Sequence, residues 1–272
     1  MRFRPLHPDL GAEVDGFDVQ RGGSPDEIAE LRRAYDQYGM LLFRGGGRIA
    51  PDRHVEIAGW FGPPGPIDNS DKGDFVSVLQ NVEDAGSRVL PFHSDLTYTE
   101  CPIKAICLHA IAVPEGGTST TFVSGRAAWK RLPDDLQEEL ADKTLLHVLI
   151  SNKAYGWPDF EAEHPVRLIH PRTGEPILLV TEHHALRILE LGEERSRAVL
   201  DELFATLYRP DARYEHRWQL DDLLMWDNLA LQHARTQHSD PGQGKRALQR
   251  VALAEVGLPE LIERVRARQQ AA

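Results

Sequence analysis

The sequence predicts one β-rich domain with flanking helices, built as a sandwich or a barrel. Three observations carry this. From Val76 onward, short apolar runs recur with turn residues between most of them, the spacing of an all-β core. The chain has 272 residues, which suits one large core better than two small ones, so residues 1–272 read as a single domain. The helical patterns are fewer, and the clearest are bounded by recognisable start or stop residues.

Taken in order, AEVDGFDV (12–19) reads as a first strand. Ser24, Pro25 and Glu27 then form a capping box with proline at the first helical position. Ile28, Leu31 and Tyr35 give that helix one apolar face, and Gly39 stops it after Tyr38. MLLF (40–43) is a short buried strand, and a second helix over 51–60 ends at FGPPGP (61–66). Further strands are expected at 76–82, 104–113, 144–150, 166–170, 177–181, 214–220, 222–226 and 247–256. Helices interrupt them at 125–132, 134–142 and 193–208, the last strongly amphipathic. ISNKAYGWPDFEAEHP (150–165) reads as a long mixed loop, and long loops inside compact domains often serve as lids. No internal repeat or low-complexity stretch is visible.

The formal net charge of −11 argues against a nucleic-acid partner, because phosphate contacts need a basic stripe. It equally disfavours attraction to anionic membranes. A small anionic substrate would depend on a few local arginines. Two cysteines, Cys101 and Cys107, are too few for a secreted disulfide scaffold and point to a reducing compartment. MRFRPLHPDLG has no apolar leader, and no stretch approaches the ~18 apolar residues of a spanning helix. The expectation is a cytoplasmic protein acting on a small molecule; association of identical chains is compatible with it.

Two segments hold the chemistry: FHSDLTY (92–98) and LLMWDNLALQHAR (223–235). On a strand, His93 and Asp95 leave the same face. His233 arrives on a separate apolar segment. Two imidazoles and one carboxylate on one face of an octahedral ion leave three positions open for reactants, as in non-haem Fe(II) oxygenases. The same three residues could hold zinc with an open position, as in a hydrolase, or a metal in a non-catalytic β-barrel module.

With VPEGGTST (113–120), KRALQR (245–250), LGAEVDGFDV (10–19) and LLFRG (41–45), these motifs resemble the taurine dioxygenase family, in order and over nearly the whole chain. That family comprises Fe(II)- and 2-oxoglutarate-dependent oxygenases. The resemblance implies a double-stranded β-helix core, a cupin-like jelly roll. It places His93, Asp95 and His233 on iron, with 2-oxoglutarate and O2 as cosubstrates. It gives the distal carboxylate of 2-oxoglutarate to Arg246, whose planar fork suits a carboxylate. Thr120, with Ser119 next, joins that clamp. Arg250 stands where the family's namesake binds a sulfonate. Arg235, His183 beside His184, Asn81 and residues 66–73 are the other substrate-side candidates. Phe92 replaces the family's usual tryptophan, and residues 66–73 offer no counterpart to the namesake's substrate-contacting histidine; both departures argue against taurine. Asp227 and Asn228 are candidates to orient the histidines, although their first role is the turn they build. The implied reaction oxidises an unactivated C–H bond, hydroxylation foremost and desaturation or cyclisation after it, releasing succinate and CO2.

Overall fold

A β-hairpin begins the chain. Strands β1 (Arg2–His7) and β2 (Leu10–Asp15) pair antiparallel at the edge of the largest sheet. The structure is a computed structural model that describes residues 1–66, 75–81, 88–151, 156–237, 242 and 244–271. Helix α1 (Pro25–Tyr38) starts on the expected capping box: the Glu27 N–H donates to Ser24 Oγ, and the Ser24 N–H donates to the Glu27 carboxylate. Gly39 ends it in the left-handed region at φ 70°, where a side chain would be strained, and β3 (Met40–Phe43) follows, buried throughout.

The rest of the chain supplies α2 (Pro51–Gly59), β4 (Ser77–Gln80), β5 (Leu90–His93), β6 (Ala105–Ala112) and β7 (Ser119–Ser124). Next come α3 (Gly125–Arg131), α4 (Asp134–Leu140), β8 (Thr144–Leu149), β9 (Phe160–Pro165), β10 (Arg167–Ile169), β11 (Pro176–Leu178) and β12 (Ala185–Ile188). Helix α5 (Glu193–Leu207), β13 (Tyr214–Arg217), β14 (Leu223–Asp227), β15 (Leu231–Arg235), β16 (Ala247–Leu253) and α6 (Leu258–Ala271) complete it. Among the described residues, a seven-stranded sheet runs β1-β2-β3-β14-β6-β16-β4, and a four-stranded sheet runs β13-β7-β15-β5. A three-stranded sheet, β12-β8-β9, and the pair β10-β11 complete the set. This is the jelly-roll architecture expected.

Alternation along the strands decides which side chains face inward. In β6, Ile106, Leu108 and Ala110 join the core between the two large sheets, while Ala105 and Cys107 face the other way, toward α1 and α2. Strand β14 divides likewise, with Leu224 and Trp226 inside and Leu223 and Met225 outside. A third cluster lies under α5, where Val199, Leu203 and Leu207 meet Val123 and Val180. No helix among the described residues is long and apolar enough to cross a membrane.

Several expectations need correction. The 150–165 segment is not all loop: residues 160–165 are β9, paired to β8 from Leu149↔Phe160 to Thr144↔Pro165. Phe160 and Ala162 are buried and Glu161 and Glu163 exposed, an alternation that the acidic side chains disguise as loop composition. Strands β1, β5, β7, β12 and β15 were not foreseen as elements. Nor was α6, although Leu258, Leu261, Ile262 and Val265 recur at helical spacing and pack on the inter-sheet core.

Candidate active site

Strands β5 and β15 lie side by side in the four-stranded sheet, and their register puts His93 directly opposite His233. The two imidazole centroids are 4.3 Å apart. Strand β5 ends at His93, so Asp95 does not share a strand face with it; this corrects the sequence expectation. Asp95 reaches the pair from the turn beyond. Leu96 takes φ 61°, which non-glycine residues seldom adopt, and bends the chain back. Asn228 pins that turn: its Oδ1 accepts the Asp95 N–H at 2.9 Å, and its Nδ2 donates to the carbonyls of Asp95 and Ile103. As a result Asp95 Oδ1 sits 3.2 Å from His93 Nε2 and 3.5 Å from His233 Nε2. Among the described residues, these three alone form a cluster of histidine, cysteine or acidic donors close enough to hold one metal ion.

The electrostatics prepare the cluster for a cation. His93 Nδ1 donates to the Pro91 carbonyl at 2.8 Å, which fixes the tautomer and leaves the Nε2 lone pair facing Asp95. Burial, then the neighbouring His93, pushes His233 down to about 3, so its ring is neutral at physiological pH. Burial works to raise the Asp95 carboxyl, but Arg250, His93 and His233 outweigh it and hold the group well below the usual carboxylate range. Arg250 Nη2 lies 2.5 Å from Asp95 Oδ2. One carboxylate oxygen therefore faces the imidazoles and the other a guanidinium. The histidine-orienting role expected of Asp227 and Asn228 is corrected too. Asp227 accepts from His170 and Arg172 and closes the β14–β15 turn through the N–H groups of Leu229 and Ala230. Pro91 orients His93, and the Trp226 and Phe122 rings pack against His233 at 5.1 and 6.3 Å.

A cavity of about 270 Å³ opens between the sheets, lined by the three clustered residues together with Thr120, Arg246 and Arg250. Arg246 precedes β16 and Arg250 lies on it, four residues apart, which puts both on the inner face. Arg246 is 4% exposed, and its Nε and Nη1 have no hydrogen-bond partner. Burial, reinforced by Arg235, lowers its guanidinium to about 10, still charged at neutral pH. An unpaired buried cation is costly, and an incoming carboxylate would offset that cost. Thr120 Oγ1 accepts from the Trp218 indole at 3.0 Å, which leaves its own proton to donate. Arg235 lines the same cavity, its Nε donating to the Arg88 carbonyl. Asn81 and Ser119 are not among the lining residues. Asn81 braces the backbone instead, accepting the Arg246 N–H and donating to the Gly244 carbonyl, both at 3.0 Å.

A second cavity, about 260 Å³, shares Leu90, His93, Asp95 and Arg250 with the first. Its further walls are Tyr98, Leu149, Trp157 and Leu258, with His183 and His184 beside them. The exposed His183 ring is 5.9 Å from that of His93. His184 is buried; its Nδ1 lies 3.2 Å from Thr97 Oγ1, and burial, then His183 and His93, lowers it to about 2. Sequence reasoning missed Tyr98, Leu149, Trp157 and Leu258 as site residues. Trp157 stands in the segment read as a lid, which was the available signal. Of the segment 66–73, residues 67–73 lie outside the described residues.

The family model of the "Taurine catabolism dioxygenase TauD, TfdA family" matches residues 2–252. An alkylsulfatase of Acinetobacter baylyi is 26% identical, over 93% of this chain and 85% of the relative. An alpha-ketoglutarate-dependent 2,4-dichlorophenoxyacetate dioxygenase of Cupriavidus pinatubonensis is 28% identical, over 84% and 90%. Among solved structures, a taurine dioxygenase from Burkholderia xenovorans superposes with a TM-score of 0.80 at 25% identity, covering 93% of this chain and 90% of that one.

Proposed function

The chain belongs to the TauD, TfdA family of Fe(II)- and 2-oxoglutarate-dependent dioxygenases, and we propose that His93, Asp95 and His233 are its iron ligands and Arg246 with Thr120 its 2-oxoglutarate clamp. The observation that carries the clamp is the buried Arg246 guanidinium, without a partner at two nitrogens, on the cavity that also holds the three ligands. The donor set fits the group: two imidazole nitrogens and one carboxylate oxygen converge, as a facial triad for ferrous iron requires. When bound, iron with 2-oxoglutarate and O2 supplies the oxidation of a substrate C–H bond, with release of succinate and CO2.

The protein's own part is positioning. Pro91 holds His93 with Nε2 presented. Arg250 and Asn228 hold Asp95 at its side chain and backbone, and Arg250 leaves Oδ1 as the oxygen offered to a metal. Arg246 binds the distal carboxylate and Thr120 adds a hydrogen bond beside it, so the oxo-acid end points to the triad. Ile106, Leu108 and Trp226 give the first cavity apolar walls beside these polar groups. The second cavity receives the primary substrate, a small organic molecule, with His183 at its polar end and Arg250, held by Asp95, in its wall. Hydroxylation is the outcome we assign at carbon. Arg235 shapes the field around Arg246. Asn81 acts on Arg246 through the backbone.

The domain spans the whole chain, because Leu258, Leu261 and Ile262 of α6 share one core with Phe122 and Trp226. Of the segment expected as a lid, Trp157 lines the second cavity and is the residue we assign to covering it. We place the protein in the cytoplasm: Cys101 and Cys107 are both free, as a reducing compartment allows.

The deciding experiment mixes the purified protein with Fe(II) and 2-oxoglutarate without oxygen and looks for the visible metal-to-ligand charge-transfer band. Wild type should show it, and His93→Ala and Asp95→Ala should lose both the band and succinate formation. A wild-type protein without the band is no oxygenase of this class.

A further inference from the structure

The second cavity differs from the first in what it can neutralise. The first contains Arg246, a buried cation in want of an anion. The second has one lysine or arginine among its described lining residues, Arg250, and that guanidinium already holds Asp95 Oδ2 at 2.5 Å. Resting on the oxygenase reading above, we infer that the primary substrate is an uncharged, mainly apolar molecule seated between Tyr98, Leu149, Trp157 and Leu258, with His183 as its polar contact.

An anion entering this cavity would lose hydration and need a cation in return. Among the described lining residues, it would gain one only by drawing Arg250 away from Asp95, loosening the carboxylate that the metal site needs fixed. The walls offer two aromatic and several leucine side chains instead, surfaces that favour hydrocarbon. His183 supplies an imidazole close to His93 that can donate to a carbonyl or accept from a hydroxyl.

One wall residue of this cavity, Leu258, lies beyond the stretch the family model matches. That match ends at residue 252, whereas Leu258 opens α6. Helix α6 is fastened across the site: Arg264 and Arg268 both pair with Glu100, and Arg266 donates to the Gly156 carbonyl beside Trp157. Leu258 and Trp157 are therefore held as one apolar cover.

The test uses full-length protein with Fe(II) and 2-oxoglutarate and matched pairs of probes: 1-octanol against octyl sulfate, and 2-(2,4-dichlorophenoxy)ethanol against 2,4-dichlorophenoxyacetate. Two signals are read, the anaerobic change in the charge-transfer band and succinate release in oxygen. In at least one pair the uncharged member should act at about tenfold lower concentration than its anion. Leu258→Glu, or Trp157→Ala if the first variant does not fold, should weaken that response about tenfold relative to each protein's own band. An anion acting at equal or lower concentration in every pair overturns the inference. So does silence from both uncharged probes, or a response unchanged in the variants. Failure of the oxygenase reading is seen separately, as no band before any organic probe is added.

Discussion

At the scale of the residue, Arg246 and Arg250 show how neighbours divide two similar guanidiniums between tasks. Both face inward from one strand line, yet among the described residues Arg250 has a carboxylate partner and Arg246 has none. Arg246→Gln should therefore weaken 2-oxoglutarate binding about 100-fold, from ~3 kcal/mol for a lost buried charge pair, while Fe(II) still binds; titrating the charge-transfer band at fixed Fe(II) measures both. A wild-type-like titration would remove Arg246 from the clamp. The residue types of this site were legible in the sequence because a metal and a carboxylate restrict what can hold them. Their supports were not. That Asn228 grips the turn at Asp95, or that Trp218 donates to Thr120, follows from distances across the fold that no local pattern encodes.

At the scale of the element, helix ends and close approaches set local stability. The Ser24 cap should be worth about 1 kcal/mol, so Ser24→Ala should lower Tm by about 2–4 °C. Gly65 is less forgiving, since a Cβ there would lie 2.1 Å from the Ala254 carbonyl oxygen, and backbone must move. Gly65→Ala should cost about 1–3 kcal/mol in a denaturant melt, with the fold retained. Elements with end signals, such as α1 between Ser24 and Gly39, were readable almost to the residue. Strand β7 was not: STTFVS is buried on both faces and lacks the alternation that marks a half-exposed strand. Strand β1 failed for the opposite reason, being an arginine-bearing edge strand that reads as a polar terminus.

At the scale of the whole molecule, buried imidazoles couple the fold to acid. His54 and His147 are fully buried, and burial first, then a neighbouring histidine, lowers each to about 3. Between about 6.5, the value in an unfolded chain, and 3, the unfolded state binds more protons, so stability is full above that window and lost as pH falls through it. Each group should contribute a slope of up to about 1.4 kcal/mol per pH unit. Urea melts of the metal-free protein from pH 7 to pH 4 should show it, and His147→Leu should flatten the decline; a pH-independent midpoint would refute the coupling. The division into two compartments meeting at His93 and Asp95 was only half legible beforehand, because the second depends on α6, which closes over strands far from it in sequence. Helix α6 also has a practical bearing. A purification tag or fluorescent reporter fused behind it would pull on the cover through Leu258 and Trp157, so probe responses gathered on such a fusion would describe the handle as much as the enzyme. Met1 and Phe3 pack instead on the cluster beside α1 and α2, so a handle ahead of Met1 would load a different part of the core.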